Sequence, residues 1–238
     1  MKNLKYIIII VAVMITILFI VKIKNTSEDV MQYMPVTDKT IVLDAGHGGI
    51  DPGAMNKDKT VLEKDINLQI TMKIKELIEA SGGNVVLTRD SDISLYEEGT
   101  NKTTRQKYNE NLKNRKKIIE NSRADMFVSI HLNAFEDSKY YGAQTFYPAG
   151  NEESKSLAQM IQAELKRVVD NTNNREIKSR EDLYLLKDNK MPSTLIECGF
   201  LSNQKEAELL AEEEYQEKIA WAIYVGIQKY FSEYEQNN

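Results

Sequence analysis

Histidine, cysteine, tryptophan and proline are all scarce in this chain of 238 residues, at two, one, one and four. A lone Cys198 excludes an intrachain disulfide and says nothing about compartment. With four prolines and 11 glycines, low-complexity disorder across the chain is excluded. A basic excess is missing too. The formal net charge is −5 and the pI is near 5.3, which argues against a general nucleic-acid binder. No internal repeat and no second domain is visible. What remains is ordinary globular composition, 42% hydrophobic and 28% charged, enough for one domain with a sizeable core.

One long apolar run is present. Tyr6 to Val21, "YIIIIVAVMITILFIV", is sixteen residues without a charge. As a helix it spans roughly 24 Å, a little under a hydrocarbon core of ~30 Å. Lys5, Lys22 and Lys24 can snorkel to make up the difference. No small-x-small cleavage site follows, so residues 1–24 read as an uncleaved signal-anchor in the membrane. Residues 25–40 read as a polar linker, 41–232 as one globular domain and 233–238 as a polar tail.

From Ile41 the pattern alternates. Strands are expected at 41–44, 84–89, 126–134, 143–150 and 193–200. Helices are expected at 62–80, 111–121, 151–170 and 206–230. The first helix carries Ile66, Ile70, Ile74, Leu77 and Ile78 on one face and stops at Gly82-Gly83. Ser91 to Asn114 reads as a polar, irregular surface excursion. Strands alternating with helices predict an α/β class: one domain, layered, with a largely parallel sheet.

Function in such sheets gathers beyond the carboxyl ends of strands. His47 follows the first strand, His131 ends the third, Glu197 lies on the fifth, and Glu63 opens the first long helix. Two imidazoles and a carboxylate form the protein ligand set of a catalytic zinc, with a separate carboxylate to carry the proton. Bland readings stand beside this one. His47 also suits a loop histidine, His131 a core histidine, and Glu63 a first-turn acid favoured by the helix dipole. Glu197 is harder to dismiss, because "TLIECGF" sets a carboxylate inside an apolar strand. Cys198 with His131 offers a thiol-peptidase pair. Neighbouring strand residues face opposite ways, however, so Cys198 points away if Glu197 points to the site.

Four stretches, "IVLDAGHGGIDPGA", "LEKDINL", "MFVSIHLNA" and "MPSTLIECGFLSN", together resemble the zinc-dependent N-acetylmuramoyl-L-alanine amidases of bacterial cell walls. The resemblance runs from about Ile41 to Tyr230 and implies a mixed, twisted sheet flanked by helices. It implies one zinc on His47, Glu63 and His131, and Glu197 as general acid/base. The implied reaction is hydrolysis of the amide between the lactyl group of N-acetylmuramic acid and L-alanine of the peptidoglycan stem peptide. Arg115 and Asn133 are expected to contact substrate. Thr88, Arg89 and Asp90 suit either that role or salt bridges, and Asp44 a partner for a ligand histidine. The short anchored layout is most similar to spore-cortex amidases of the muramic-δ-lactam pathway. Peptidoglycan as substrate puts the domain outside the cytoplasmic membrane, in a sporulating cell between the two forespore membranes. No inhibitory helix is seen between His131 and Glu197, which leaves control to an accessory activating protein, a lipoprotein among the candidates. Two alternatives stay open: a zinc peptidase acting within the stem peptide, and a catalytically silent peptidoglycan-binding module.

Overall fold

The computed structural model describes residues 11–18, 34–97, 99 and 101–237. The expected anchor falls largely outside them. Residues 11–18 are helical, and among the described residues no helix is long and apolar enough to cross a membrane.

Six strands form one sheet: β1 (Thr40–Ala45), β2 (Asn84–Leu87), β3 (Met126–Asn133), β4 (Gln144–Pro148), β5 (Lys178–Arg180) and β6 (Ser193–Phe200). Their order is β2-β1-β3-β6-β4-β5. The four strands from β2 to β6 run parallel, β4 is antiparallel to β6, and β5 is parallel to β4. The sheet is therefore mixed.

Five helices cover it: α1 (Glu63–Ala80), α2 (Thr104–Asn121), α3 (Glu152–Val168), α4 (Gln204–Leu210) and α5 (Glu213–Asn237). The two sheet faces differ in character. Ile41, Leu43, Val128, Ile130, Ile196 and Cys198 pack with α1, α3 and α5 in the larger core. On α1 the residues Ile66, Ile70, Ile74 and Ile78 are buried at four-residue spacing, each contributing about 2 kcal/mol by apolar burial. Their alternates Val42, Phe127, Phe146 and Leu195 pack under Ile119 of α2 and the 183–186 turn. Near residue 34 the chain is already docked: Val36 is buried, and its N–H donates to Gln228 Oε1 of α5.

Three differences from the sequence expectation have clear causes. The helix expected from residue 111 begins seven residues earlier, inside the expected excursion, because Thr103 and Gln106 form a reciprocal capping box that starts α2 at Thr104. Strand β5 is a three-residue, wholly exposed edge with no apolar alternation to announce it. The expected 206–230 helix is two, broken at Ala211-Glu212, where Gln216 Nε2 reaches the Leu210 carbonyl.

Candidate active site

The loop after β1 bends back on itself. His47, Gly48 and Gly49 have φ of 62°, 128° and 58°, so a non-glycine residue is held in the left-handed region. Buried guanidiniums hold this loop by its carbonyls. Arg89 donates to Ala45 O at 2.8 Å and Gly46 O at 3.0 Å. Arg115 donates to Ala45 O at 2.6 Å and to His47 O. Beneath them Asp44 accepts from Arg115 at 2.5 Å and from Thr88 and Ser129, each at 2.6 Å. Burial alone would raise the Asp44 carboxyl, but Arg115, His131 and the two hydroxyls outweigh it and hold it at about 2.

The loop delivers His47 to Glu63. His47 Nε2 lies 3.1 Å from Glu63 Oε1, and His131 Nδ1 lies 3.0 Å from the same oxygen. One ligand atom from each of the three residues falls within 4.8 Å of the others. Glu63 is fixed from outside. Its Oε2 accepts from Ala54 N at 2.7 Å, and its Oε1 from Leu132 N at 3.0 Å. Asn67, one turn along α1, ties Glu63 Oε1 to the Gly46 carbonyl. His47 Nδ1 is held by Asp51 Oδ2 at 2.8 Å, which directs Nε2 inward. Glycine is required twice. A Cβ on Gly46 would meet the His131 ring at 2.3 Å, and one on Gly53 would meet Glu63 Oε2 at 2.5 Å.

Electrostatics favour a cation here. Burial opposes a charged His47, yet Asp51 and Glu63 push it up to about 10. Burial opposes a charged Glu63 as well, and the two imidazoles hold it well below the ordinary carboxylate range.

Glu197 stands beside this group. It is the register partner of His131 across β3 and β6, so the two side chains share a face. Its Oε2 is buried with no hydrogen-bond partner. Burial raises its carboxyl above the ordinary value, against the pull of His131. Such a group exchanges a proton easily and has one oxygen free to do so.

Four expected residues therefore meet in one place. Others do not. Arg115 is 1% exposed with its donors committed inside, so it supports the His47 loop and is not positioned to touch substrate. Arg89 is a second support of the same kind. Asp44 partners Arg115 and not a ligand imidazole; that place belongs to Asp51, which sequence reasoning passed over. The signal was there, since Asp51 sits four residues past His47 in a tight glycine loop. Asn133 ends β3 half-buried, with Oδ1 accepting from Ala134 N. Cys198 is buried in the opposite core and cannot pair with His131.

Fold and site together define an α/β protein that gathers two imidazoles and two carboxylates at its strand ends. The chain belongs to the N-acetylmuramoyl-L-alanine amidase family, whose model matches residues 41–229. It is similar to the germination-specific N-acetylmuramoyl-L-alanine amidase of Bacillus subtilis (strain 168), 41% identical over 221 residues and covering 92% of each chain. Among solved structures it is similar to the CwlD amidase of Clostridioides difficile in complex with the GerS lipoprotein. That match has 74% identity and a TM-score of 0.81, over 82% of this chain and 99% of that one. An N-acetylmuramoyl-L-alanine amidase from Clostridium difficile 630 follows at 32% identity and TM-score 0.71, over 82% and 98%.

Proposed function

We propose that the chain cuts the lactyl–L-alanine amide of peptidoglycan with one zinc held by His47, Glu63 and His131, and with Glu197 as general acid/base. One observation carries this: three ligand atoms within 4.8 Å, next to a buried carboxyl with a free oxygen. Two nitrogens and one carboxylate oxygen suit zinc, and Asp51 behind His47 is the usual outer partner of a ligand imidazole. Bound zinc supplies a Lewis acid that polarises a carbonyl and acidifies water. Glu197 Oε2 takes a proton from the attacking water and returns it to the leaving amine. Burial raises that carboxyl above its ordinary value, the direction that favours the first step. Asn133, two residues past His131 on the same face, supports substrate or the ligand shell.

The test has two readouts. Elemental mass spectrometry of the purified protein is expected to give about one zinc per chain, lost in Glu63→Ala. Digested peptidoglycan is expected to release stem peptides with an L-alanine amino end. A shortened stem on intact muramic acid would mean a peptidase instead, and full zinc with no product a silent binding module.

The setting is part of the proposal. Likeness to a germination-specific amidase supports action in spore-cortex remodelling, on the muramic-δ-lactam route. The apolar run at 6–21 supports anchoring in the cell membrane with the domain outside. Likeness to an amidase solved with a lipoprotein supports an activating lipoprotein partner. Protection of residues 34–238 from protease in intact protoplasts would contradict the orientation.

A further inference from the structure

Strand β5 does little for the core. All three of its residues are exposed, and it closes the sheet as an edge. Charged residues on an edge strand guard against pairing with another chain, and that accounts for Lys178 and Arg180 only in part. The register says which way they face. Phe146 pairs Lys178 on one side and Leu195 on the other, while Glu197 pairs Gln144. Residues two apart on a strand share a face. Lys178 and Arg180 therefore stand on the same face as Leu195, Glu197 and His131, with Arg180 beside Pro148, four residues along β4 from the level of Glu197.

Arg180 leans inward over that face. Its guanidinium lies 5.6 Å from the centroid of the Phe146 ring. Its charge and that of Glu197 act on one another across the intervening β4. Its present partner is Asp182, two residues on, held through Nε at 2.9 Å and through a second nitrogen. With side chains 40% and 67% exposed, that pair is weakly bound and open to exchange.

The substrate supplies a reason for a cation there. A peptide leaving group carries carboxylates, and it approaches a chain whose net charge is −5. Beyond the reach of the zinc that the site would hold, a carboxylate further along the stem needs a cation of its own. Arginine offers a planar fork that matches a carboxylate in two hydrogen bonds. We propose that Arg180 is a specificity-determining residue that receives a stem-peptide carboxylate, exchanging it for Asp182, on the β5 side of the cleft. This rests on the amidase reading of the site.

The experiment compares two soluble muropeptides, one with free stem-peptide carboxylates and one with those carboxylates amidated. Steady-state cleavage is measured for wild type, Arg180→Gln, Arg180→Lys and Asp182→Asn. Binding of both muropeptides is measured by calorimetry in a Glu197→Gln background. Arg180→Gln is expected to raise KM for the free-carboxylate substrate about 3- to 10-fold, and to weaken its binding alike. Wild type and variant are expected to converge on the amidated substrate. Arg180→Lys restores part of the loss, and Asp182→Asn lowers KM by freeing the fork. Equal effects on both substrates, or none on either, overturn the proposal. Should wild type bind the free-carboxylate muropeptide better but cleave neither, the amidase reading falls while the carboxylate site stands.

Discussion

Two clusters of buried charge sit side by side near the carboxyl ends of β1 and β3, and they are built to opposite ends. Around Asp44 every acceptor is satisfied: Arg115, Thr88 and Ser129 close on it, with Asp44 and Arg115 both shut off from solvent. Around Glu63 the group is left incomplete. Two half-buried imidazoles face one carboxylate, and beside them Glu197 Oε2 has no partner. A closed cluster can only hold a shape, while an open one retains capacity to bind a cation and move a proton. The two are joined, because Arg115 grips both Asp44 and the His47 carbonyl. Rigidity in the first sets the loop that carries a ligand of the second.

The largest expected effect breaks the open cluster. Glu197→Gln keeps the shape and removes the proton carrier, so turnover should fall about 10²- to 10⁴-fold with zinc content unchanged. The folded state should lose nothing, since a buried carboxyl without a partner is replaced by a neutral amide. Loss of zinc together with activity would move Glu197 into the ligand set.

Breaking the closed cluster should read out in stability first. Arg115→Met leaves Asp44 in the interior without its counter-charge, held only by the Thr88 and Ser129 hydroxyls, at a cost of about 3–5 kcal/mol in a denaturant titration. Adding Asp44→Leu should recover part of that stability, because it removes the buried charge, although the Thr88 and Ser129 hydroxyls lose their acceptor. It should not restore full zinc affinity, since the carbonyls of Ala45 and His47 stay unheld. Complete rescue of both would mean that the clusters are independent.

Asp51→Asn sharpens the contrast from the other side. It leaves the closed cluster untouched and weakens only the outer support of His47. Zinc affinity should drop about 10- to 100-fold by chelator competition, with little change in unfolding of the metal-free chain.

Much of this was legible in the sequence, and the failures have a pattern. Helix α1 and strands β1, β3 and β6 follow from apolar spacing, since each buries a continuous stripe. Strand β5 buries nothing and leaves no stripe to read. The start of α2 was marked not by apolar residues but by the capping pair Thr103 and Gln106. In the site, the four residues with reactive chemistry stood out as candidates from residue type and their places at strand and helix ends, and the resemblance supplied their roles. Their supports could not. Asp44, Asp51, Arg89 and Arg115 are all charged groups near one loop, and composition does not say which charge faces which. Asp44 pairs with a guanidinium 71 residues away, a contact set by the packing of α2 on β1.

The smallest expected effect uses acid to separate the clusters. Asp44 is held at about 2 against an ordinary 3.8, so the folded state binds its proton more weakly than the unfolded one. A depressed carboxyl stabilises the fold above the unfolded value, and that contribution disappears as pH falls through the folded one. From the two values it amounts to about 2 kcal/mol, lost between roughly pH 4 and pH 2. Asp44→Asn removes this titration. The variant should be less stable at neutral pH, where Arg115 loses its counter-charge, yet its stability should fall less steeply across that window. The measurement is the denaturant midpoint against pH on metal-free protein, where Glu63 titrates in both chains and cancels in the comparison. Parallel acid limbs for the two proteins would mean that Asp44 is not the strong acid its surroundings require, and that Arg115 is held chiefly by the loop carbonyls.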